Sequence, residues 1–426
     1  MSHTEWESRV LSAIDASAEE LIELLGALLR TDSQNPPGDC TQVAQVVSGY
    51  LDSHGVSNQI LSAGDGRDNV VSFRPAEGPR HLVLAGHHDT VPIGDASRWS
   101  FPPLAGDVVD GYARGRGASD MKGGLAGIIF VYVLLHRLGV PLGGSLTLAS
   151  TADEETGGAG GAPWLLDGGV LDRVTGGIIA EPAERTHPTI GQKGSNWFKL
   201  TIQGKPGHGS LQPLHGVSAT LLGARAALAL QRLWDLEARP PADVQDLIAS
   251  SKRFAEEREG YAPGIGEVFS HVTVNIGTIT GGVSANVVAD TCELEVDTRV
   301  PIGIRRQAVL DRVHELLAAE GIEATITPLG FQSEPNYTLP SDPVVETLVD
   351  AIRELTGDAE AAGVLQWASS DARAFRQHGI PVLQYGPAVL HTIHGIDERV
   401  KVDDVVLSAK VYALAVLRYL GISEQE

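Results

Sequence analysis

The chain has 426 residues, enough for roughly two or three domains at about 150 residues each. Hydrophobic residues make up 42% of the chain and charged residues 20%, so a sizeable core is available and wholesale disorder is excluded. With 32 Lys and Arg against 54 Asp and Glu, the formal net charge is −22, which argues against nucleic acid and anionic membrane surfaces as partners.

Two features favour a reducing, cytoplasmic compartment. Cys40 and Cys292 are the only cysteines and lie far apart, so they support neither a disulfide framework nor a CxxC-type metal site. The first residues include acidic side chains and no apolar run, so we expect no secretory signal. The most apolar helix-like stretch, 125–135, is too short for a membrane span.

The first part of the chain predicts strands that alternate with helices. Leu21, Leu24, Leu25 and Leu28 repeat at helical spacing and predict an amphipathic helix that packs on a sheet. Three short apolar runs predict buried strands at 82–85, 145–150 and 177–180. Between the first two lies a helical pattern at 121–138. This alternation predicts an α/β fold: a mostly parallel sheet with helices on both faces.

The pattern changes near residue 192. Half-exposed strands are predicted there at 197–203, 271–279 and 292–298. Two helices are predicted at 218–233 and 305–319. We therefore predict an inserted α+β domain over 192–330 within a discontinuous catalytic domain of residues 1–191 and 331–426. Residues 235–270 are polar and contain Pro and Gly, which favours an irregular insertion or a long surface loop.

The predicted strands end in polar clusters, and open α/β sheets bind ligands beyond the carboxyl ends of their strands. His87 and Asp89 share one side of a strand end, and a carboxylate beside an imidazole orients a metal-ligating nitrogen. Glu154 and Glu155 are adjacent, so one can bind a metal while the other takes a proton from water. Taken singly, the His87–Asp89 cluster is better explained as a solvated loop, and adjacent glutamates are usually an exposed charge pair.

Three further groups complete a set suited to metal chemistry. Asp120 precedes a helix and alone would be a helix cap, Glu181 follows the third strand, and His394 lies near the C-terminus. Together the groups supply two imidazoles, three carboxylates and one spare carboxylate, an oxygen-rich set without thiolate, as dinuclear hydrolases need. The sequence contains no G-x-G-x-x-G, H-E-x-x-H or G-x-S-x-G, so dinucleotide-binding, zincin and serine-hydrolase chemistry have no support.

The order of the motifs resembles the M20 metallopeptidase and deacylase family, which includes acetylornithine deacetylase, succinyl-diaminopimelate desuccinylase, aminoacylase and carboxypeptidase G-type enzymes. The motifs are Gly86-His87-His88-Asp89-Thr90-Val91-Pro92, the run from Gly115 to Gly124, Asp153-Glu154-Glu155-Thr156-Gly157 and Glu181-Pro182. The match continues through Gly207-His208-Gly209-Ser210, Asn275-Ile276-Gly277 and Asp297-Thr298-Arg299 to His394.

The resemblance implies two divalent ions per subunit, bridged by Asp120 and a water or hydroxide. One ion would take His87 and Glu181, and the other Glu155 and His394. Zinc is the first choice of metal, and cobalt and manganese suit the same ligands.

The resemblance also implies three supporting features around these ions. Asp89 would orient the His87 ring, and Glu154 would be the general base. The peptide bond after Asp120 would be cis.

For the inserted domain, the resemblance implies a ferredoxin-like lid that also forms a homodimer. His208 would reach the partner subunit's active site and stabilise the carbonyl oxygen of the tetrahedral intermediate, although a flexible surface loop also explains it. Asn286 and Arg299 match positions that bind the substrate carboxylate, and Arg373 is a second candidate for that role. The structural alternative for Arg299 is an ion pair with Asp297. For Arg373 it is a charge on the surface of a helix.

We therefore predict a cytoplasmic, dinuclear-metal amidohydrolase that cleaves the amide bond of a small, carboxylate-bearing N-acyl amino acid. A dipeptidase, tripeptidase or carboxypeptidase with the same site, and a hydrolase of an aryl-amine or carbamoyl C–N bond, are the alternatives. A metal-binding homologue without activity, and a metal-dependent isomerase or lyase, have less support. Ser369-Ser370 replaces the family's frequent Gly-Thr before Asp371, which leaves substrate specificity open.

Overall fold

The computed structural model describes residues 1–258 and 261–423, and the chain divides into two compact units. Unit 1 consists of Met1–Ile190, Thr338–Gly363 and Ser370–Glu426. Unit 2 consists of Gly191–Tyr337 and Val364–Ser369. Relative to the boundaries drawn from the sequence, unit 2 extends to Tyr337 and takes in a short second segment.

The described residues form sixteen strands and eleven α-helices. The strands are β1 Gln59–Ser62, β2 Asp68–Arg74, β3 His81–His87, β4 Asp107–Val109, β5 Tyr112–Arg114, β6 Ser145–Thr151, β7 Gly176–Ile179, β8 Thr189–Gln192, β9 Gly194–Gln203, β10 Thr273–Gly281, β11 Thr291–Val300, β12 Ala324–Pro328, β13 Asn336–Tyr337, β14 Val364–Gln366, β15 Val382–Gln384 and β16 Arg399–Lys401. The helices are α1 His3–Ala16, α2 Ala18–Arg30, α3 Thr41–Ser53, α4 Gly123–Arg137, α5 Ala162–Asp167, α6 Ala219–Leu230, α7 Gln245–Glu256, α8 Arg306–Ala319, α9 Pro343–Thr356, α10 Ala372–Gln377 and α11 Val402–Leu420.

Unit 1 is built on a mixed sheet whose centre is parallel, which confirms the predicted fold class. The strand order is β1-β2-β6-β3-β7-β15-β8. β3 pairs in parallel with β6 and β7, and β15 pairs in parallel with β7, whereas the pairings of the edge strands are antiparallel. β3 therefore lies in the middle of the sheet, and its C-terminal residue, His87, lies at the carboxyl edge between β6 and β7.

Helices cover both faces of this sheet. Val83 and Ala85 of β3 belong to a buried cluster with residues of α5 and α10, such as Leu165 and Phe375. The helices α4 and α11 pack against β3 as well. Because successive side chains of a strand point to opposite faces, a strand buried along its length needs cover on both sides, and β3 has it.

The helix α4 is the most apolar element of the chain. The stretch Ala118–Arg137 has the length and hydropathy of a membrane span, contrary to the sequence-based expectation that the apolar run is too short. However, 94% of the most apolar part of this stretch is buried inside the protein, as in the core helix of a folded domain. Gly124 explains part of this close packing, because a Cβ there would lie 2.0 Å from the carbonyl oxygen of Ala180.

Unit 2 contains a four-stranded antiparallel sheet in the order β10-β11-β9-β12. The chain order of its elements is β9-α6-β10-β11-α8-β12, which together with this strand order is the ferredoxin-like arrangement. A buried apolar cluster that includes Leu200, Leu230, Leu294 and Val313 joins the sheet to α6 and α8.

The segment 235–270 is more regular than the sequence predicted. It contains the twelve-residue helix α7, whose buried residues are Leu247, Ile248, Ser251 and Ala255. The prediction of an irregular segment was therefore wrong for residues 245–256. The helix was missed because its apolar residues are few and polar residues separate them. This helix packs against β14 of the same unit.

A candidate dinuclear metal centre in unit 1

Three neighbouring strands carry the predicted metal-site residues to one edge of the sheet. β3 ends at His87, β6 leads into a single 3-10 turn, Glu154–Thr156, and Glu181 follows β7 after one further residue. Because β6, β3 and β7 are adjacent and parallel, their carboxyl ends lie together. The loop before α4 adds Asp120, and the segment before β16 adds His394.

The side chains form two groups of potential ligands that share one residue. One group is His87, Asp120 and Glu181, and the other is Asp120, Glu155 and His394; within each group the ligand atoms lie within 4.8 Å of one another. Asp120 Oδ1 lies 3.3 Å from His87 Nε2, and Asp120 Oδ2 lies 3.3 Å from His394 Nε2. The Asp120 carboxylate therefore presents one oxygen to each group.

The spacing and chemistry of these atoms fit two divalent cations. Two tetrahedral ligands at about 2.0–2.1 Å from one ion lie about 3.3 Å apart, which is the separation of Asp120 from each imidazole. His394 Nε2 is also 3.3 Å from Glu155 Oε2, and His87 Nε2 is 3.8 Å from Glu181 Oε1. Among the residues described, Glu155 Oε1 is buried without a hydrogen-bond partner, which a cation at this position would provide.

The protonation of the cluster reflects several carboxylates crowded around two imidazoles. Hydrogen bonds with Asp120 and Glu155 raise the pKa of His394 to about 10. Burial, with a contribution from the Asp120 charge, raises the pKa of Glu181 to about 8. Cations bound here would favour the ionised carboxylates and the neutral imidazoles instead, so metal binding would release protons.

Glu154 differs from its neighbour Glu155 because its carboxylate belongs to neither ligand group. In the described part of the chain, no hydrogen bond or ion pair engages this carboxylate. Burial first, and then the nearby Glu181 charge, raise its pKa well above the usual value of a glutamate. A half-buried carboxylate with a raised pKa beside potential metal ligands is suited to accept a proton.

Asp89 contacts the His87 ring mainly through its main chain. The carbonyl oxygen of Asp89 lies 3.0 Å from His87 Nδ1, whereas the nearest carboxylate oxygen lies 3.5 Å away. The fully buried carboxylate accepts hydrogen bonds from the backbone amides of Glu154 and Glu155, each at 3.2 Å. Asp89 thus also holds the turn that presents both glutamates.

Asn35 is a buried residue of this site that the sequence analysis missed. Its Nδ2 atom lies within hydrogen-bonding distance of Asp89 Oδ2 (2.9 Å), Asp153 Oδ1 (3.2 Å) and Thr156 Oγ1 (3.1 Å). It therefore cross-links the loop after β3 to the turn after β6. The sequence carries no signal for this role, because Asn35-Pro36-Pro37 reads as an ordinary turn.

Glu398 is a second missed residue, and it holds the loop that carries Asp120. It is fully buried, and its carboxylate accepts hydrogen bonds from Arg116 Nη1 at 2.6 Å and from the backbone amides of Gly117, Ser119 and Asp120 at 3.0–3.1 Å. The Asp120–Met121 peptide bond is cis, as the resemblance implied. The segment of His394 thus supplies both a potential ligand and the anchor of the shared ligand.

His88 and His391 do not join the ligand groups. The His88 ring is fully buried, and its Nδ1 lies 2.8 Å from Ser150 Oγ. Burial lowers the pKa of His88 to about 4. The His88 side chain is therefore part of the core, whereas His391 is exposed.

Unit 2 carries three of the residues predicted to act on the substrate. His208 and Asn286 lie on neighbouring loops, joined by a 2.9 Å hydrogen bond from the Gly209 amide to the Asn286 carbonyl. His208 is exposed, and its Nδ1 lies 2.8 Å from Ser210 Oγ. The Nε of Arg299 pairs with Asp297 at 2.9 Å, as the plainer alternative for this residue expects.

Arg373 lies in unit 1 and is buried, not a helix-surface charge. Its Nη2 donates a hydrogen bond of 2.6 Å to the carbonyl oxygen of Gly157. Gly157 directly follows the turn of Glu154 and Glu155. Arg373 therefore braces this turn from the side of α10.

Comparison with known proteins decides the family. The chain matches the model of peptidase family M20/M25/M40 over residues 83–418. It belongs to this family. This M20/M25/M40 chain is 30% identical over 335 residues to a succinyl-diaminopimelate desuccinylase of Shewanella piezotolerans, and the match covers 76% of the chain and 78% of the relative.

Solved structures share the fold of this M20/M25/M40 protein at low sequence identity. An M20 family metallo-carboxypeptidase of Sulfolobus solfataricus is 18% identical with a TM-score of 0.77, covering 94% of this chain and 99% of that one. Human carnosine dipeptidase 1 is 16% identical with a TM-score of 0.75, and the match covers 97% of this chain and 98% of the dipeptidase. The family and the paired ligand groups identify a hydrolase with a candidate dinuclear metal site.

Proposed function

We propose that the protein is a dinuclear metal-dependent amidohydrolase that removes the acyl group from a small, carboxylate-bearing N-acyl amino acid. The observation that carries this proposal is the pair of ligand groups that share Asp120, with the unengaged carboxylate of Glu154 beside them. The desuccinylase relative supports an N-acyl amino acid as the substrate class.

His87 and Glu181 would hold one divalent ion, Glu155 and His394 the other, and Asp120 both. Zinc is our first choice of metal, with cobalt and manganese as alternatives that suit the same ligands. When bound, the two ions polarise the scissile carbonyl and lower the pKa of the attacking water.

The proton transfers fall to Glu154. Its carboxylate takes a proton from the water whose oxygen attacks the amide carbon, and a C–O bond forms. It then gives that proton to the amide nitrogen as the C–N bond breaks. The products are a carboxylic acid and a free amino acid, and Glu154 returns to its starting state.

Substrate recognition would come from unit 2 and from a second subunit. Arg299 and Asn286 would bind the substrate carboxylate, since the planar guanidinium suits paired hydrogen bonds to a carboxylate. His208 would stabilise the carbonyl oxygen in the partner's site. We therefore expect Arg299→Ala to raise KM for carboxylate-bearing substrates, and an unchanged kcat/KM would move the anion site elsewhere.

A homodimer is consistent with the exposed surface of unit 2. The strand β10 is an edge strand with Ile279 exposed. The helix α6 packs against it and exposes Leu221 and Leu228, which are seven residues apart and therefore lie on the same helix face. An apolar helix face beside an open sheet edge is an association surface. Sedimentation of the pure protein tests this, and a monomer at micromolar concentration would contradict it.

The decisive experiment is the release of free amine by protein loaded in turn with zinc, cobalt and manganese. The panel contains N-acetyl, N-succinyl and N-formyl amino acids, dipeptides and aryl amides. We expect one acyl class to be cleaved, with loss of activity in chelator. Turnover of dipeptides alone would make the protein a peptidase, and silence with both ions bound would refute the amidohydrolase. A cytoplasmic location, suggested by two free buried cysteines, is tested by fractionation of the source cells.

A further inference from the structure

One face of the unit 2 sheet gathers several hydrogen-bond donors around Arg299. Leu200 of β9 packs with α6 and α8, so Ser195, an odd number of residues earlier, points to the opposite face of the sheet. Arg299 of β11 lies directly opposite Ser195, and Thr273 of β10 lies directly opposite Arg299. Because directly opposite residues of an antiparallel pair share a face, the side chains of Ser195, Arg299 and Thr273 form one row across the sheet.

Lys193 adds a second cation to this row. Its Nζ donates hydrogen bonds to Thr273 Oγ1 at 3.1 Å and to the His271 carbonyl oxygen at 2.9 Å. Lys193 is buried, and burial together with the nearby Arg299 charge lowers its pKa to about 7. Among the described residues, one carboxylate, that of Asp297, pairs with Arg299, at 2.9 Å from its Nε. Two cations therefore face one anion, which leaves one positive charge for a ligand to balance.

Two buried donors of β9 have no hydrogen-bond partner in the described part of the chain. They are the Ser195 hydroxyl and the Trp197 indole N–H. Trp197 lies on the same face two residues after Ser195, and the Arg299 guanidinium lies 5.4 Å from its ring centroid. Because buried polar groups are almost always hydrogen-bonded, an unpartnered hydroxyl and an unpartnered N–H beside two cations indicate a site for an acceptor.

We propose that Lys193, Ser195 and Arg299, with the Trp197 N–H beside them, form a binding site for a carboxylate group. A carboxylate carries the single negative charge that this row lacks, and its two oxygens can accept from several donors. Arg299 pairs with Asp297 through Nε alone, so both Nη atoms remain for two parallel hydrogen bonds to a ligand. The Arg299 side chain is 24% exposed, which gives a ligand access from solvent.

In assigning Arg299 to a carboxylate, this inference rests on the proposed function, to which it adds Lys193, Ser195 and Trp197 as binding residues. Calorimetric titration of the metal-loaded protein with butanoate and with butanamide tests it, because the two probes share a shape and differ in charge. We expect butanoate to bind and butanamide to bind at least about tenfold more weakly.

Ser195→Ala separates a binding role from a structural one. The substitution removes a hydroxyl that makes no hydrogen bond within the described chain, so a purely structural Ser195 would leave butanoate affinity unchanged. As a binding residue, Ser195 donates to a charged acceptor, and its loss should weaken butanoate binding by about 10- to 100-fold. The midpoint of thermal unfolding without butanoate should stay at the wild-type value.

Lys193→Met and Lys199→Met form a matched pair that removes the same charge from one face of β9. Lys199 pairs with Glu293 at 3.2 Å, and its side chain is 32% exposed. Lys193→Met should weaken butanoate binding by at least about tenfold, whereas Lys199→Met should leave it within about twofold of the wild type.

Equal butanoate affinity in the wild type, Ser195→Ala and Lys193→Met, as expected if the metal centre alone held the ion, would overturn the inference. Inorganic phosphate that binds more tightly than butanoate and depends on Ser195 would overturn the assignment to a carboxylate. These titrations need no turnover. A protein that binds butanoate through Ser195 and Lys193 but cleaves no N-acyl amino acid would therefore refute the proposed function alone.

Discussion

The two adjacent glutamates allow a sharp test of the proposed chemistry. Glu154 belongs to neither ligand group, whereas Glu155 Oε2 lies 3.3 Å from His394 Nε2 within one of them. Glu154→Gln should therefore keep both ions and lose turnover. Glu155→Gln should lose one ion, because one of three protein groups at that position is neutralised.

The size of the Glu154→Gln effect follows from the role of the group. Glutamine has the shape of glutamate and can occupy the same half-buried space, so the substitution removes proton transfer and little else. General acid–base catalysis contributes about 10²- to 10⁴-fold, which corresponds to about 2.7–5.4 kcal/mol of activation free energy. We expect kcat to fall by this factor while KM changes little, because the substrate is still bound and oriented.

The assay combines metal analysis of the purified variants with amine release under saturating substrate. Glu155→Gln is the matched control, since it changes the neighbouring residue by the same single atom. If Glu154→Gln kept more than about a tenth of the wild-type kcat, Glu154 would not be the general base. If it lost an ion instead, Glu154 would be a ligand and the two groups would have to be redrawn.

Three further predictions concern the residues around the metal centre. Asn35→Leu removes a hydrogen bond to the buried Asp89 carboxylate, worth about 1.5–3 kcal/mol, so kcat should fall about 10- to 100-fold in steady-state assays while metal content is unchanged. Glu398→Gln breaks the buried pair with Arg116 and should lower the unfolding free energy by about 3–5 kcal/mol; a midpoint of thermal unfolding close to that of the wild type would contradict this. His88 is buried and neutral, because burial lowers its pKa from the unfolded value of about 6.5 to about 4 in the folded protein. As the pH falls, the His88 imidazole is therefore protonated in the unfolded chain before it is protonated in the folded one. The folded state should lose about 3 kcal/mol of stability between pH 6.5 and pH 4. His88→Leu should flatten that slope in calorimetry across pH 4–7.

The central strands and the positions of the candidate metal ligands were predictable because their signals are local. The apolar runs of β3, β6 and β7 each end in polar residues, and parallel neighbours bring their carboxyl ends together. That is why His87, Glu155 and Glu181 could be placed at one edge from the sequence. The α+β character of unit 2 was predictable for the same reason, since its half-exposed strands alternate polar and apolar residues. Its ferredoxin-like arrangement was implied only by the family resemblance.

The supporting contacts were not predictable, because each depends on a pairing between distant parts of the chain. Asn35 lies 54 residues from Asp89, and Arg116 lies 282 residues from Glu398. Nothing in the local sequence distinguishes these side chains from ordinary turn and surface groups. The helix α7 was missed because two of its four buried residues, Ser251 and Ala255, are not strongly apolar, so its buried face is hard to recognise in a polar segment.

The distance between Arg116 and Glu398 along the chain has a consequence for biosynthesis. The loop of Asp120 stays without its carboxylate anchor, and His394 is absent, until about 280 further residues have been made. At a synthesis rate of about 5–20 residues per second, this delay is roughly 15–55 s. During that time the growing polypeptide carries at most His87, Asp120, Glu155 and Glu181 of the five potential ligands, and the loop of Asp120 lacks its anchor. Binding of a pair of ions at this site would therefore be a late event, after residues 394 and 398 have been made.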